Sequence, residues 1–151
     1  MKNAFIISFL FVMVVACSDQ NFLPIEDKII LEMGETKNIP KDLRTLHFFL
    51  ETEKEYPCIN YTIISSGEKM DNKIKIWIDG VREEEICLTA TGPAKTTIGF
   101  GGLKEEVYEF DFKVKSTKVC GTLTITSDEY QLDLESNEVI EVVNPVLVRE
   151  K

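Results

Sequence analysis

Histidine is almost missing from this chain of 151 residues: there is one, His47, set beside Phe48 and Phe49. A metal site built on two histidines is therefore excluded within one chain, and no catalytic partner stands next to the single imidazole. Four cysteines are present, none in C-x-x-C spacing, which argues against a zinc knuckle or a dithiol redox centre. Positive charge is also scarce, with 17 Lys and Arg against 26 Asp and Glu and a formal net charge of −9. Such a surface opposes nonspecific attraction to nucleic-acid phosphates and to anionic lipid, so no nucleic-acid partner is expected. Long apolar runs are absent apart from Ala4 to Ala16, which falls short of the roughly 20 residues that a spanning helix needs.

What glycine and carboxylate there is does not form a recognisable ligand loop. Gly99-Phe100-Gly101-Gly102 lacks the following helix whose amides would face a phosphate, because a strand pattern follows instead. Glu83-Glu84-Glu85 and Glu105-Glu106 point to alternate faces of an extended chain and lack calcium-loop spacing, so they read as solvated strand ends. No metal and no cofactor is expected. There is no internal repeat and no low-complexity stretch.

The first residues do carry a signal. Lys2 precedes the apolar stretch, and Val14-Val15-Ala16-Cys17 closes it. This arrangement resembles the lipobox of bacterial lipoproteins, where an aliphatic residue at −3 and a small residue at −1 direct cleavage before the cysteine. The resemblance implies removal of residues 1–16, a diacylglyceryl thioether on Cys17 and an acylated amino terminus. Two or three acyl chains anchor stably where one is marginal, at about 0.8 kcal/mol per buried methylene. Ser18-Asp19-Gln20-Asn21 is similar to the start of outer-membrane lipoproteins, and its acidic residue resembles a surface-export tag. The expected address is the outer membrane, on the periplasmic side or at the cell surface. Residues 17–27, with Pro24, are expected to be a lipidated cysteine and tether.

Residues 28–151 have the length of one domain. Their dominant pattern is a period of two. Tyr108, Phe110, Phe112 and Val114 alternate with Glu109, Asp111, Lys113 and Lys115; Leu123 and Ile125 alternate with threonines; Tyr130, Leu132 and Leu134 alternate with Gln131, Asp133 and Glu135. Further strands are expected at 28–33, 58–65, 73–79, 84–90 and 96–100, with Gly34, Gly67, Gly80 and Gly92-Pro93 as separators. Two short ones, 138–143 and 146–149, are split by Asn144-Pro145. Residues 40–55 fit either a helix with Leu43, Leu46 and Leu50 on one side or a strand with Leu46, Phe48 and Leu50 inward; the strand supplies a partner that the sheet otherwise lacks. The expected fold is an all-β, antiparallel β-sandwich of about seven to nine strands.

Gly102-Leu103 followed by Val107-Tyr108-Glu109-Phe110-Asp111-Phe112 resembles the corner and penultimate strand of immunoglobulin-like and fibronectin type III domains, which implies an immunoglobulin-like sandwich with a tyrosine bonded back across the corner. Tyr56-Pro57-Cys58-Ile59-Asn60-Tyr61, Ile86-Cys87-Leu88-Thr89-Ala90 and Gly92-Pro93-Ala94 together resemble a family of small, functionally uncharacterised Gram-negative lipoproteins, which implies no activity.

With Cys17 lipidated, Cys58, Cys87 and Cys120 remain. Cys120 adjoins Gly121, where a tight hairpin is expected, so either Cys58 and Cys87 are bridged or all three thiols are free. The bridge would close a loop of about 30 residues and stabilise by roughly 3 to 4 kcal/mol.

Trp77 is the most informative residue. Ile74, Ile76 and Ile78 take the core face, which leaves Trp77 on the other face with Lys73, Lys75 and Asp79. An indole flanked by lysines can stack on a sugar ring or anchor a protein partner; the plain alternative is packing beside lysine stems. Three functions follow. The first is a non-catalytic binding or scaffold module of the cell envelope, taking a glycan or an envelope protein at Trp77, Lys73 and Lys75. The second is an inhibitor or accessory factor of an envelope enzyme, acting through a loop such as 65–72 or 91–95. The third, an enzyme, would need a carboxylate pair assembled only by the fold. The chain is not expected to be an enzyme.

Overall fold

Alternation of apolar and polar side chains builds most long elements of the computed structural model, which describes residues 22–38 and 43–149. Eleven strands result: β1 (Phe22–Leu23), β2 (Ile29–Asn38), β3 (Leu43–Tyr56), β4 (Thr62–Met70), β5 (Lys73–Arg82), β6 (Gly92–Gly101), β7 (Val107–Val114), β8 (Thr117–Ile125), β9 (Glu129–Leu134), β10 (Ile140–Val142) and β11 (Val146–Val148). The described residues contain no helix. The stretch open to two readings is β3, with Leu46, Phe48 and Leu50 buried.

The strands form one sheet in the order β10-β2-β3-β6-β4-β5-β7-β8-β9-β11, with β1 paired to β5. The fold is all-β, as the period of two requires, but it is mixed rather than antiparallel and has eleven strands rather than seven to nine. Parallel pairs occur at β10–β2, β4–β6 and β5–β7. Local alternation sets which face a side chain takes and is silent on the direction of a distant partner strand.

The sheet curls over its own apolar face. Phe48 of β3 and Phe110 of β7 are four strand spacings apart in the order, about 19 Å on a flat sheet. Their ring centroids are 5.3 Å apart, so the two halves face each other, sandwich-like, with the core between them. On one side the halves join at a single β4–β6 pair, Thr62 with Lys95. On the other side the chain itself joins them. β10 lies along β2, the Asn144 side chain accepts from Met33 N at 2.7 Å and donates to Met33 O at 2.8 Å, and Pro145 O then accepts from Leu132 N at 2.8 Å as β11 starts along β9. Asn144-Pro145 is thus the break expected at that point, and it carries the chain from one edge of the sheet to the other.

A charged cluster seals the same seam. Glu35 of β2, its side chain 3% exposed, accepts two bonds from Arg44 Nη1 at 3.0 and 2.9 Å and one from the Tyr130 hydroxyl at 2.6 Å. The Arg149 guanidinium stacks over the Tyr130 ring at 5.3 Å and bonds Glu105 and the Thr126 carbonyl. The Tyr108 hydroxyl accepts from Lys104 N at 2.9 Å, a back-bond of the kind expected, but the single mixed sheet of eleven strands is not the immunoglobulin-like sandwich that the resemblance implied.

Several boundaries differ from expectation. The strand expected at 84–90 is a loop, and Cys58 sits in the β3–β4 connection instead of starting a strand. Gly34 and Gly121 are mid-strand, where each permits a close approach: a Cβ on Gly34 would meet the Phe49 ring at 2.6 Å, and one on Gly121 would meet the Asp133 carbonyl oxygen at 2.2 Å. The hairpin expected at Cys120-Gly121 lies at Lys115-Ser116, between β7 and β8. Residues 22–27, expected within the tether, dock on the fold: β1 pairs with β5 and Ile25 is buried. The signal segment, Cys17 and the rest of the tether lie outside the described residues.

Removing one partner of a buried ion pair leaves the other uncompensated, so Glu35→Ala is expected to cost about 3 to 5 kcal/mol in chemical denaturation. Burial, and then the bond to Glu35, push the Tyr130 phenol from 10.0 up to about 12. Its contribution to stability is complete below pH 10 and is lost as pH rises through about 12. Burial also raises Tyr56, Tyr61 and Tyr108, so Tyr130→Phe is expected to flatten, without abolishing, the fall in thermal midpoint between pH 10 and 12.

Candidate functional site

β5 runs between β4 and β7, so its outward residues lie in the middle of an open sheet face. Ile74, Ile76 and Ile78 are buried, and Lys73, Lys75 and Trp77 are half-buried on the other side. Register sets their neighbours. Trp77 lies beside Ser66 and Lys113, Lys75 beside Glu68 and Asp111, and Lys73 beside Met70 and Glu109. On β8, Lys118 pairs with Lys113 and Cys120 pairs with Asp111. The three residues singled out from the sequence therefore share one face, joined there by Lys113 and Lys118.

The charges on this face are unevenly satisfied. Asp111, its side chain 14% exposed, holds Lys73 Nζ at 3.0 Å and Lys118 Nζ at 3.1 Å. Burial pushes the Asp111 carboxyl up, yet its bonds to the two ammonium groups outweigh burial and hold it below the ordinary range. Lys73 also reaches Glu109 at 3.0 Å, and its pKa is raised, first by Glu109 and then by Asp111. Lys75 and Lys113 have no hydrogen-bond or ion-pair partner among the described residues. A trough of about 210 Å³ is lined by Lys75, Ile76, Trp77, Asp111, Lys113 and Lys118. Among its lining are one indole, three cations and one carboxylate, Asp111, that is already occupied. Such a trough can hold a flat, partly apolar ring bearing negative charge.

Cys58 and Cys87 form a disulfide, with Cα atoms 5.3 Å apart. Cys120 is a free, half-buried thiol on the Trp77 face. The loops expected to project, 65–72 and 91–95, are mostly strand: β4 continues to Met70 and turns at Asp71-Asn72 into β5, and β6 begins at Gly92. The connection that lies outside the strands there, and is mostly exposed, is 83–91. His47 shares a 2.8 Å hydrogen bond with Thr36 Oγ1 and stacks on Phe49. Among the described residues no three His, Cys, Asp or Glu side chains converge as a metal site.

Sequence reasoning missed the Glu35 cluster, although a signal existed. Ile29, Leu31 and Met33 set the inward positions of β2, and the next inward position is Glu35. A carboxylate in core register needs a partner. Ending the strand at Gly34 hid it.

Comparison with protein-family models, with curated proteins and with solved structures finds no match.

The disulfide spans 29 residues of sequence, so replacing Cys58 and Cys87 together by Ser is expected to lower stability by about 3 to 4 kcal/mol in the chain-entropy treatment. Denaturant titration of the double variant measures it. A loss well under 1 kcal/mol would mean that the loop is already closed by other contacts in the unfolded chain.

Proposed function

We propose that the protein is a non-catalytic binding module of the bacterial cell envelope, held at the outer membrane through a lipidated Cys17 on the periplasmic side or at the cell surface, and that it takes an acidic glycan in the trough around Trp77. One observation carries the glycan: Lys75 and Lys113, both without partners among the described residues, flank a half-buried indole on an outward sheet face. The indole face offers apolar contact to the C–H side of a sugar ring. The two ammonium groups, on half-buried Lys75 and exposed Lys113, offer charge to a carboxylate of the same sugar, an attraction that added salt screens. The formal net charge of −9 makes this local reversal of sign selective, because an extended polyanion such as nucleic acid would meet repulsion outside the trough. A neutral sugar would gain the stacking and leave both cations unpaired.

Trp77 is the only tryptophan, so its emission reports the trough directly. The full chain in detergent, titrated with an oligouronate, is expected to give a saturable change in emission that weakens with added salt. The matched neutral oligosaccharide should give little change. The Lys75→Ala, Lys113→Ala double variant is expected to bind roughly tenfold or more weakly, a difference of about 1.4 kcal/mol or more, at an unchanged thermal midpoint. Equal response to the neutral sugar, or no response to either, would sink the glycan reading; a response only to an added envelope protein would give the same face to a protein partner.

A further inference from the structure

Docking of residues 22–27 on the fold shortens the leash. From Cys17, the anchor proposed above, to Phe22, the first docked residue, the chain takes five steps, which span at most about 18 Å. Phe22 pairs with Arg82, the last residue of β5. The chain therefore joins the fold at the end of β5 from which the connection 83–91 leaves. The same end holds the start of β4, since Thr62 pairs with Arg82, and the β3–β4 connection just before it.

Exposed apolar side chains gather there. Ile86 is 75% exposed, more than any other large apolar residue among those described, and Leu88, Phe22 and Ile59 are each about half exposed. Segment 83–91 is bent, not extended, and bonds within the protein hold its bends. The Asn60 amide donates from Nδ2 to Ile86 O at 2.5 Å and accepts from Leu88 N at 3.3 Å. Leu88 O accepts from Ile59 N at 3.4 Å and from Ala90 N at 2.7 Å, and Cys87 is bonded to the buried Cys58. Main-chain groups that leave water need partners, and Ile86 O, Leu88 N and Leu88 O already have them. The tip is thus an apolar surface that carries few bare backbone groups with it out of water.

We propose that this end of the fold, with Phe22, Ile59, Ile86 and Leu88, rests in the interface of the bilayer leaflet that holds the acyl chains of Cys17, and that it selects zwitterionic lipid. The proposal rests on the lipidation read above. Four such side chains bind a membrane weakly by themselves, but a leash of about 18 Å makes the contact intramolecular, so a weak intrinsic affinity is enough. Charge selects the lipid. Glu84 is occupied by Arg82 and Thr62, each at 3.2 Å, while Glu83 and Glu85 are exposed beside the apolar tip. Carboxylates at headgroup depth can meet the ammonium of a zwitterionic lipid and are repelled by an anionic surface. Trp77 stands five residues back along β5 from Arg82, about 17 Å of strand, so the trough is held clear of the headgroups.

Trp77 is the only tryptophan, so an indole introduced elsewhere in a Trp77→Phe background reports its own depth. The full chain, made in a bacterium that processes lipoproteins, is reconstituted in zwitterionic vesicles whose acyl chains carry bromine, a quencher of indole emission. Leu88→Trp in that background is expected to lose roughly half of its emission or more, as an interfacial indole should. Met70→Trp is the control, because Met70 is also exposed but pairs with Lys73 at the far end of β5; it should lose none. Anionic vesicles should restore much of the Leu88→Trp emission. Adding Ile86→Glu should restore it while the chain stays vesicle-bound. Unquenched Leu88→Trp, equal quenching of Leu88→Trp and Met70→Trp, or stronger quenching in anionic vesicles overturns the proposal. So does a crosslinked dimer that Ile86→Glu abolishes, since a second copy would then cover the patch. Mass spectrometry of the same preparation reads acylation at Cys17. An unacylated chain overturns the anchored reading together with this one, whereas an acylated, vesicle-bound chain with unquenched Leu88→Trp overturns this one alone.

Discussion

The fold depends on one seam, where the two edges of a long curled sheet are brought together. In strand order β2 and β9 are seven spacings apart, which on a flat sheet is about 34 Å. Across that seam Tyr130 of β9 bonds Glu35 of β2 at 2.6 Å. Without it the apolar face of β2, β3 and β6 would have nothing to cover, and the inward phenylalanines of β3 and β7 would not meet. The seam is made of charge as well as main chain. A carboxylate in the core register of β2 is compensated by Arg44 and Tyr130, and Asn144 mimics a backbone residue so that the last strand can change partners. Buried charge of this kind contributes little net stability over an apolar alternative, but it penalises every misregistered closure.

Much of the interior was legible from alternation alone. The inward sets Ile74, Ile76, Ile78 and Tyr108, Phe110, Phe112, Val114 are buried as their period requires, and the outward placement of Lys73, Lys75 and Trp77 follows from the same count. What alternation cannot give is partner identity. β5 and β7 run side by side in parallel although a whole strand, β6, separates them in sequence and lies in the other half of the sheet. Period two is also blind to the sign of burial. Ile86 and Leu88 alternate with glutamate, cysteine and threonine as a strand would, yet they face solvent. Glycine misled for a related reason, since at Gly34 and Gly121 it marks a close neighbour across the ladder where a turn had been expected.

The outer surfaces are where this scaffold offers recognition, and the two candidate surfaces work on different physics. The Trp77 face is a local reversal of charge on an acidic molecule, built on the most continuous part of the sheet; its residues are held by strand register, and nothing there has to move. The 83–91 loop is apolar and acidic, built on the least regular part, and its shape depends on a covalent link and one asparagine. A rigid sheet face suits a small ligand that must find cations already in place. A pinned loop suits a broad surface that a short leash holds against it.

The handover at Asn144-Pro145 also bears on how the chain reaches its final form. Asn144 and Met33, the residues it joins, are separated by 111 positions. The outer edge of β2 therefore waits, unpaired, until residues 140–144 are present. High contact order slows folding, and an uncovered strand edge is a template for pairing with other chains in the interval. A product truncated anywhere before Ile140 would keep most of its apolar face and lose the strand that caps it. Closure of the seam is thus the work of residues 140–148, which meet partners laid down more than a hundred positions earlier at β2 and close by at β9.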